Sequence, residues 1–319
     1  MKRSQAAIGW ALLFATCGGL LLVGLGWLSL APRHAPPRLL MLLAGIGAAE
    51  ALVPWAYCLC FALLPGALHA ARPSRPLGLK DAIGALLCAV LLMVAAGALT
   101  MLPPLNRGLL AGLHTGRLNL PDFNAPFRLQ SIAIAGDLTL ALWLSWLMRR
   151  FGPAVSENGN PTGIGWRGAS RRDYGLALAL AAILIGIVMV TFHILPPDTA
   201  KLKATQAAKL LSGTAVALVA ILATVFLLAP IVEEILFRGV IFAGIAAKWG
   251  AVWASLLSSL LFIAAHAPEK IHYWPGFLDV GLLALAACWL RLRCRSIRPG
   301  ILLHVAYNTG LLLTAPLLH

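Results

Sequence analysis

Apolar stretches separated by short polar breaks run the length of the chain. Nine of them reach or approach the length of a membrane-crossing helix, about 20 residues at ~1.5 Å each across ~30 Å of hydrocarbon. They fall at about 8–31, 39–68, 81–102, 129–148, 175–195, 212–247, 250–267, 274–291 and 298–318. The second carries Pro54 and Pro65 and is expected to kink or turn back, and the sixth carries Pro230. The clearest polar breaks are Arg72 to Lys80, Pro103 to Arg128 and Arg149 to Asp173, rich in proline, turn formers or Gly/Asn/Arg. The pattern predicts an all-α polytopic membrane protein of eight to nine transmembrane helices, with no internal repeat or low-complexity tract.

Composition agrees with the pattern. Of 319 residues 60% are hydrophobic and 11% charged, and mean hydropathy is +0.87. A soluble domain carries roughly 45–50% apolar and about 25% charged residues. The net charge of +14 therefore calls for a membrane explanation first. Basic residues gather at span ends, where they meet anionic headgroups. No basic run interleaved with aromatics occupies a polar domain, so the lipid bilayer is an expected partner and nucleic acid is not. Lys2 and Arg3 precede an apolar run longer than the roughly 7–15 residues of a signal-peptide core, so it reads as a retained first span. With the N-terminus cytoplasmic, 15 Lys and Arg fall on the inner side, Arg291 among them, and 9 on the outer side. Cys17, Cys58, Cys60, Cys88, Cys288 and Cys294 form neither a disulfide framework nor a thiolate metal pattern.

Three polar motifs interrupt apolar stretches of the last third. They are Glu233-Glu234-x-x-x-Arg238, Phe262-x-x-x-His266 and His304-x-x-x-Asn308. Ionisable groups inside a membrane cost at least ~2.5–3.5 kcal/mol each on insertion scales, so their default reading is functional. Glu234 and Arg238 stand four apart in the order that favours an ion pair, which leaves Glu233 as the candidate general base. If the sixth and seventh helices reverse at 248–250, Glu233 and His266 come level, ~23 Å from the turn. His304 and Asn308 share one helical face, from which both can donate to a developing oxyanion. Their inner-side depth points to one polar cavity opening toward the cytoplasm. Each motif also has a bland reading: a structural ion-pair network, an interfacial histidine, or two polar residues satisfying neighbouring helices. His34, His69, His114, His193, His272 and His319 lack such company and read as loop or interface residues. Ser255, Ser258 and Ser259 lack a nucleophile context, and Glu50 and Asp137 stand alone as intramembrane acids.

Zinc chemistry needs a further look, because a Glu and two His can form a catalytic site. The H-E-x-x-H helix is absent, so no metal and no cofactor is expected. If the chemistry does use a metal, Glu233, His266 and His304 are the ligands to test.

Ala229 to Gly239, Ser259 to His266 and Arg298 to Asn308 together resemble the three motifs of the CPBP family, the CAAX-protease and bacteriocin-processing (ABI) intramembrane endopeptidases. The resemblance covers about 212–318, in the right order and spacing. It implies a glutamate-type intramembrane protease in which Glu233 and His266 activate water. His304 and Asn308 then stabilise the oxyanion, and Glu234, Arg238 and Phe262 support the site. The chain departs from the pattern before the third motif, with Cys294-Arg295-Ser296-Ile297 in place of a Thr-Gly-Ser-Leu turn.

Two regions are expected: 1–200, an N-terminal transmembrane part of about five spans and unassigned role, and 201–319, the protease-like core. The leading function is hydrolysis of a peptide bond in a membrane-associated protein or peptide. The alternative is a non-catalytic peptide-binding or bacteriocin-immunity membrane protein of the same fold. A proton-relay transporter predicts symmetric repeats, which the sequence lacks. The Arg/Ala/Leu-rich, Lys-poor composition fits a GC-rich bacterium and hence an inner-membrane location. Oligomeric state is not written in the sequence.

Overall fold

A computed structural model of the chain describes residues 77–115, 125–151, 163–198 and 215–314. All regular structure among these is helical. Two compact units divide the chain. One takes in Cys88–Thr139 among the described residues, the other 77–87 and what is described from Leu140 onward. The predicted spans 8–31 and 39–68, and with them Glu50 and the N-terminal orientation, lie outside the described residues.

Helix α1 (Leu79–Thr115) carries Asp81 in its first turn, and the Asp81 carboxylate accepts from the Gly78 N–H at 2.8 Å. It does not stop where the sequence predicts a polar break at Pro103. The backbone stays helical through Pro103 and Pro104 to Thr115, which also puts His114 on a helix. Two missing N–H donors cost two ladder bonds, and the pair stands just past Leu102, where the apolar span ends. Helix α2 (Pro126–Phe151) packs on α1 within the first unit. Small residues permit the approach: a Cβ at Gly136 would meet the Met93 sulfur at 2.7 Å, and one at Gly97 would meet Ile132 at 3.4 Å.

The second unit carries the polar motifs. Helix α3 (Arg171–Ile194) opens with a capping box: the Asp173 N–H donates to the Ser170 hydroxyl and the Ser170 N–H to the Asp173 carboxylate. Both would otherwise be orphan donors. Ala177, Ala181, Leu184 and Val188 form one stripe of α3, buried against Leu283, Ala287, Leu290, Leu303 and Tyr307. Leu178, Ile183 and Val190, on its other faces, are exposed, as expected of a lipid-facing surface.

The longest apolar run is irregular. Helix α4 (Ala215–Ala223) widens into a π-helical turn at Thr224–Leu228. Helix α5 (Ala229–Glu233) follows, with Pro230 in its first turn, and then an eight-residue π-helical segment, Glu234–Ile241. Helix α6 (Phe242–Ala265) reverses at Gly250, where φ is +81°. Such a backbone is open to glycine and strained for other residues. Close by, a Cβ at Gly244 would lie 2.5 Å from the Gly78 carbonyl oxygen, so this arm of α6 touches the start of α1 backbone to backbone. A short helix α7 (Ala267–Lys270), helix α8 (Pro275–Cys294) and helix α9 (Arg298–Thr314) complete the unit.

By length and composition five described segments can cross a membrane: Leu79–Leu102, Phe127–Ser145, Arg171–Ile194, Val219–Ala265 and Pro275–Cys294. The chain is an integral membrane protein. These five are counted among the described residues, outside which two of the eight to nine predicted spans lie. The sixth and seventh predicted stretches are one run turned at Gly250, and α9 has only 17 residues.

Candidate active site

The reversal at Gly250 brings two arms of one run together in register. Arg238 lies 12 residues before Gly250 and Phe262 lies 12 after it, and the Arg238 guanidinium sits 4.2 Å from the Phe262 ring centroid. Four residues further along each arm are Glu234 and His266. Helix α9 then inserts His304 beside them.

Glu233 and Glu234 are neighbours in sequence and opposites in environment. Glu234 is fully buried; its side chain is 3.0 Å from the equally buried Arg238. The 3.0 Å contact is an ion pair rather than a well-directed hydrogen bond, and the face of Phe262 supplies a second favourable surface for the cation. Glu233 keeps about a quarter of its side chain accessible. Its Oε2 lies 3.9 Å from His266 Nε2 and 3.8 Å from His304 Nε2. One carboxylate oxygen thus faces two imidazoles, at separations longer than a hydrogen bond.

The second nitrogen of each imidazole is held from behind. His266 Nδ1 is 2.9 Å from the carbonyl of Phe262, one turn earlier on α6. If that nitrogen carries the proton, as a carbonyl partner requires, Nε2 presents a lone pair toward Glu233. His304 Nδ1 is 3.3 Å from Glu234 Oε1. The Phe262 ring organises the apolar wall: it meets Phe237 edge-on at 5.2 Å, His304 at 5.7 Å and His266 at 4.4 Å between centroids. Phe262 is fully buried and packs against both imidazoles. Gly300 leaves space for Glu234, since a Cβ there would stand 3.1 Å from its carboxylate.

Asn308 lies one turn beyond His304 on α9, but the two side chains have different partners. The Asn308 amide donates to the carbonyl of Val225 at 3.3 Å, inside the π-helical turn Thr224–Leu228. The amide has a second N–H, so this bond orients the group without exhausting it. The hydroxyls of Ser258 and Ser259 approach Cys288 Sγ at 3.5 and 3.6 Å, and that of Ser255 donates to Ala251. The first two join α6 to α8, and the third stays within α6. Among the described residues no group of three or more His, Cys, Asp or Glu side chains is gathered to hold a metal ion.

One residue of this neighbourhood escaped the sequence reading. Arg291 was expected at the inner surface with the other basic residues. Instead it is 2% exposed, and its Nε donates to the Arg238 carbonyl at 3.2 Å and its Nη2 to the Gly163 carbonyl at 2.6 Å. Its neighbours Arg293 and Arg295 are exposed, and nothing in a run of alternating arginines says which one turns inward.

The arrangement defines a class: an integral membrane protein whose helices gather two carboxylates, two imidazoles and a guanidinium in apolar surroundings. Comparison with known proteins adds a similarity over part of the chain. Residues 215–310 match the family described as type II CAAX prenyl endopeptidase Rce1-like, consistent with the CPBP resemblance of the three motifs. An Escherichia coli protein described as "Uncharacterized 24.3 kDa protein" is 36% identical over 95 residues, 28% of this chain and 42% of that protein. The chain thus spans less than half the length of that relative. No solved structure matches.

Proposed function

We propose that the protein is an intramembrane endopeptidase that hydrolyses a peptide bond of a membrane-associated protein or peptide, with Glu233 as the general base. The observation that carries this reading is the asymmetry of the glutamate pair. Glu234 is fully buried and tied to Arg238, whereas the partly accessible Glu233 presents one oxygen to both imidazoles. A carboxylate so placed can accept a proton from water while His266 orients that water. His304 and Asn308 then stand on the α9 side as donors for the tetrahedral oxyanion, each good donor being worth on the order of 3–4 kcal/mol. Apolar walls keep the local dielectric low and strengthen each contact.

A CAAX-protease-type domain fits this chemistry, and substrates of that class are embedded in or attached to the membrane. The inner membrane of a bacterium, with the site open toward the cytoplasm, is the setting that fits the basic residues at span ends. The N-terminal region before residue 200 is read as substrate docking or a gate.

The test needs no prior substrate. Protein termini are compared across cells expressing the wild type and Glu233→Gln at equal levels. Glutamine keeps the shape but cannot accept the proton. Termini that appear only with Glu233 support the protease; identical terminus maps for the two proteins overturn it.

A further inference from the structure

We propose that Arg291 is a positioning residue for this site, acting through a continuous line of contacts that ends on Glu233. The inference rests on the protease reading for its purpose, but its geometry stands separately. Arg291 Nε donates to the Arg238 carbonyl at 3.2 Å. The Arg238 side chain meets Glu234 Oε1 at 3.0 Å. That same oxygen is 3.3 Å from His304 Nδ1, and His304 Nε2 is 3.8 Å from Glu233 Oε2. Each step is a polar contact between buried or half-buried groups, so displacement at one end is felt at the other.

Three further features show that the site around Arg291 is built for it. The guanidinium is buried, and among the described residues no carboxylate pairs with it; its partners are carbonyl oxygens. A charge buried without a counterion is expensive, and packing alone would be served by leucine or methionine. The segment that receives its other end is shaped to it: Gly165 has φ +74°, and a Cβ there would collide with the guanidinium. That segment is fastened to the start of α9 as well. The Ile297 N–H donates to the Gly165 carbonyl at 3.0 Å and the Ser296 hydroxyl to the Arg167 carbonyl at 2.6 Å. Ile164 is buried against Gly239, where a Cβ would come within 3.0 Å of its side chain. The strap at 163–167 therefore lies outside the family match yet clasps the π-helical segment Glu234–Ile241, and Arg291 is the clasp. An eight-residue π-helix has poorer internal geometry than an α-helix and recurs at functional sites; an external donor on one of its carbonyls fixes which register it holds.

The experiment uses the full chain in nanodiscs of phosphatidylglycerol and phosphatidylethanolamine. The imidazole nitrogens are labelled with ¹⁵N, and the His266 and His304 signals are assigned with His266→Gln and His304→Gln. Wild type, Arg291→Ala, Arg291→Lys and Gly165→Ala are compared for imidazole shifts, thermal unfolding and, in cells, the yield of Glu233-dependent termini. The expected result is that Arg291→Ala moves the His304 signals and lowers terminus yield at least tenfold. Lysine, which can still reach one carbonyl, restores part of both. Gly165→Ala, which keeps the charge but displaces it, shifts His304 in the same direction and serves as the reporter if the alanine variant does not fold. Imidazole spectra that superimpose on wild type in the folded variants, with only the unfolding temperature lowered, would overturn the proposal and leave Arg291 a structural brace. If the His304 signals move while no Glu233-dependent terminus exists in any strain, the positioning role stands and the protease reading fails.

Discussion

Asn308 donates its amide to the carbonyl of Val225 across 3.3 Å, a contact between α9 and the π-helical turn that precedes the glutamate pair. The amide is thus oriented by the protein before a substrate arrives, which is what a preorganised oxyanion donor requires. Asn308→Ala is expected to lower the rate of Glu233-dependent cleavage by on the order of a hundredfold, while apparent affinity for the same peptide changes little. An affinity loss as large as the whole functional defect would instead mark a ground-state contact and favour a peptide-binding protein. Rates and binding of one peptide, taken from the terminus maps, decide the matter.

The two adjacent glutamates are expected to separate stability from activity. Glu234→Ala leaves Arg238 buried without its carboxylate, a change that costs about 3–5 kcal/mol where such pairs have been broken. Glu233→Gln keeps the shape of a side chain that is a quarter exposed, and thermal unfolding in detergent should be close to wild type. Equal destabilisation by the two changes would contradict the environments that distinguish them, 0% against 25% side-chain exposure.

The site was more legible in the sequence than the fold around it. A helical spacing and a reversal near Gly250 are enough to bring Glu233 beside His266, because those positions lie almost equally far from the turn. The i,i+4 spacing of Glu234 and Arg238 likewise anticipates their contact, although the backbone between them is π rather than α. What spacing cannot reveal is which of several arginines is buried. Arg291 and Arg293 sit two apart at one helix end, and only the position of the 163–167 strap turns one inward. Nor does proline content mark a helix end reliably: the backbone stays helical through Pro103 and Pro104, beyond the candidate span that ends at Leu102. Pairing of His304 with Glu234, and of Asn308 with Val225, depends on how α9 is rotated, and one turn of sequence carries no rotation.

Arg295 is expected to be a site where glycine is better. It ends α8 in the left-handed region, with φ 51° and ψ 26°, and among the described residues it is the one non-glycine with positive φ. Side chains there meet the carbonyl that follows, which is why glycine dominates such helix ends. Arg295 is exposed and is the position where the family resemblance would have glycine. Arg295→Gly should raise stability by on the order of 0.5–1 kcal/mol, the strain relieved being partly offset by glycine's greater freedom when unfolded. Thermal unfolding of the variant checks the sign, and a clear loss would show that the Arg295 side chain makes contacts worth more than its backbone strain.

The two histidines permit a test of whether their work is done with or without a metal. Each already has a position that suits a metal-free mechanism. His266 is anchored through Nδ1 to the Phe262 carbonyl and turns Nε2 to Glu233, and His304 bridges the two glutamates. Chelator treatment of the purified protein is therefore expected to leave Glu233-dependent cleavage of the mapped peptide unchanged, and elemental analysis to find no stoichiometric zinc. Zinc bound one to one, with activity lost on stripping and regained on return, would instead make Glu233, His266 and His304 its ligands. Glu233 would then no longer be the general base, because a carboxylate that coordinates the metal does not also take the proton from the attacking water. Variants separate the two cases further. Under the metal-free mechanism His266→Gln slows cleavage and leaves metal content at background, whereas under the alternative it releases the ion.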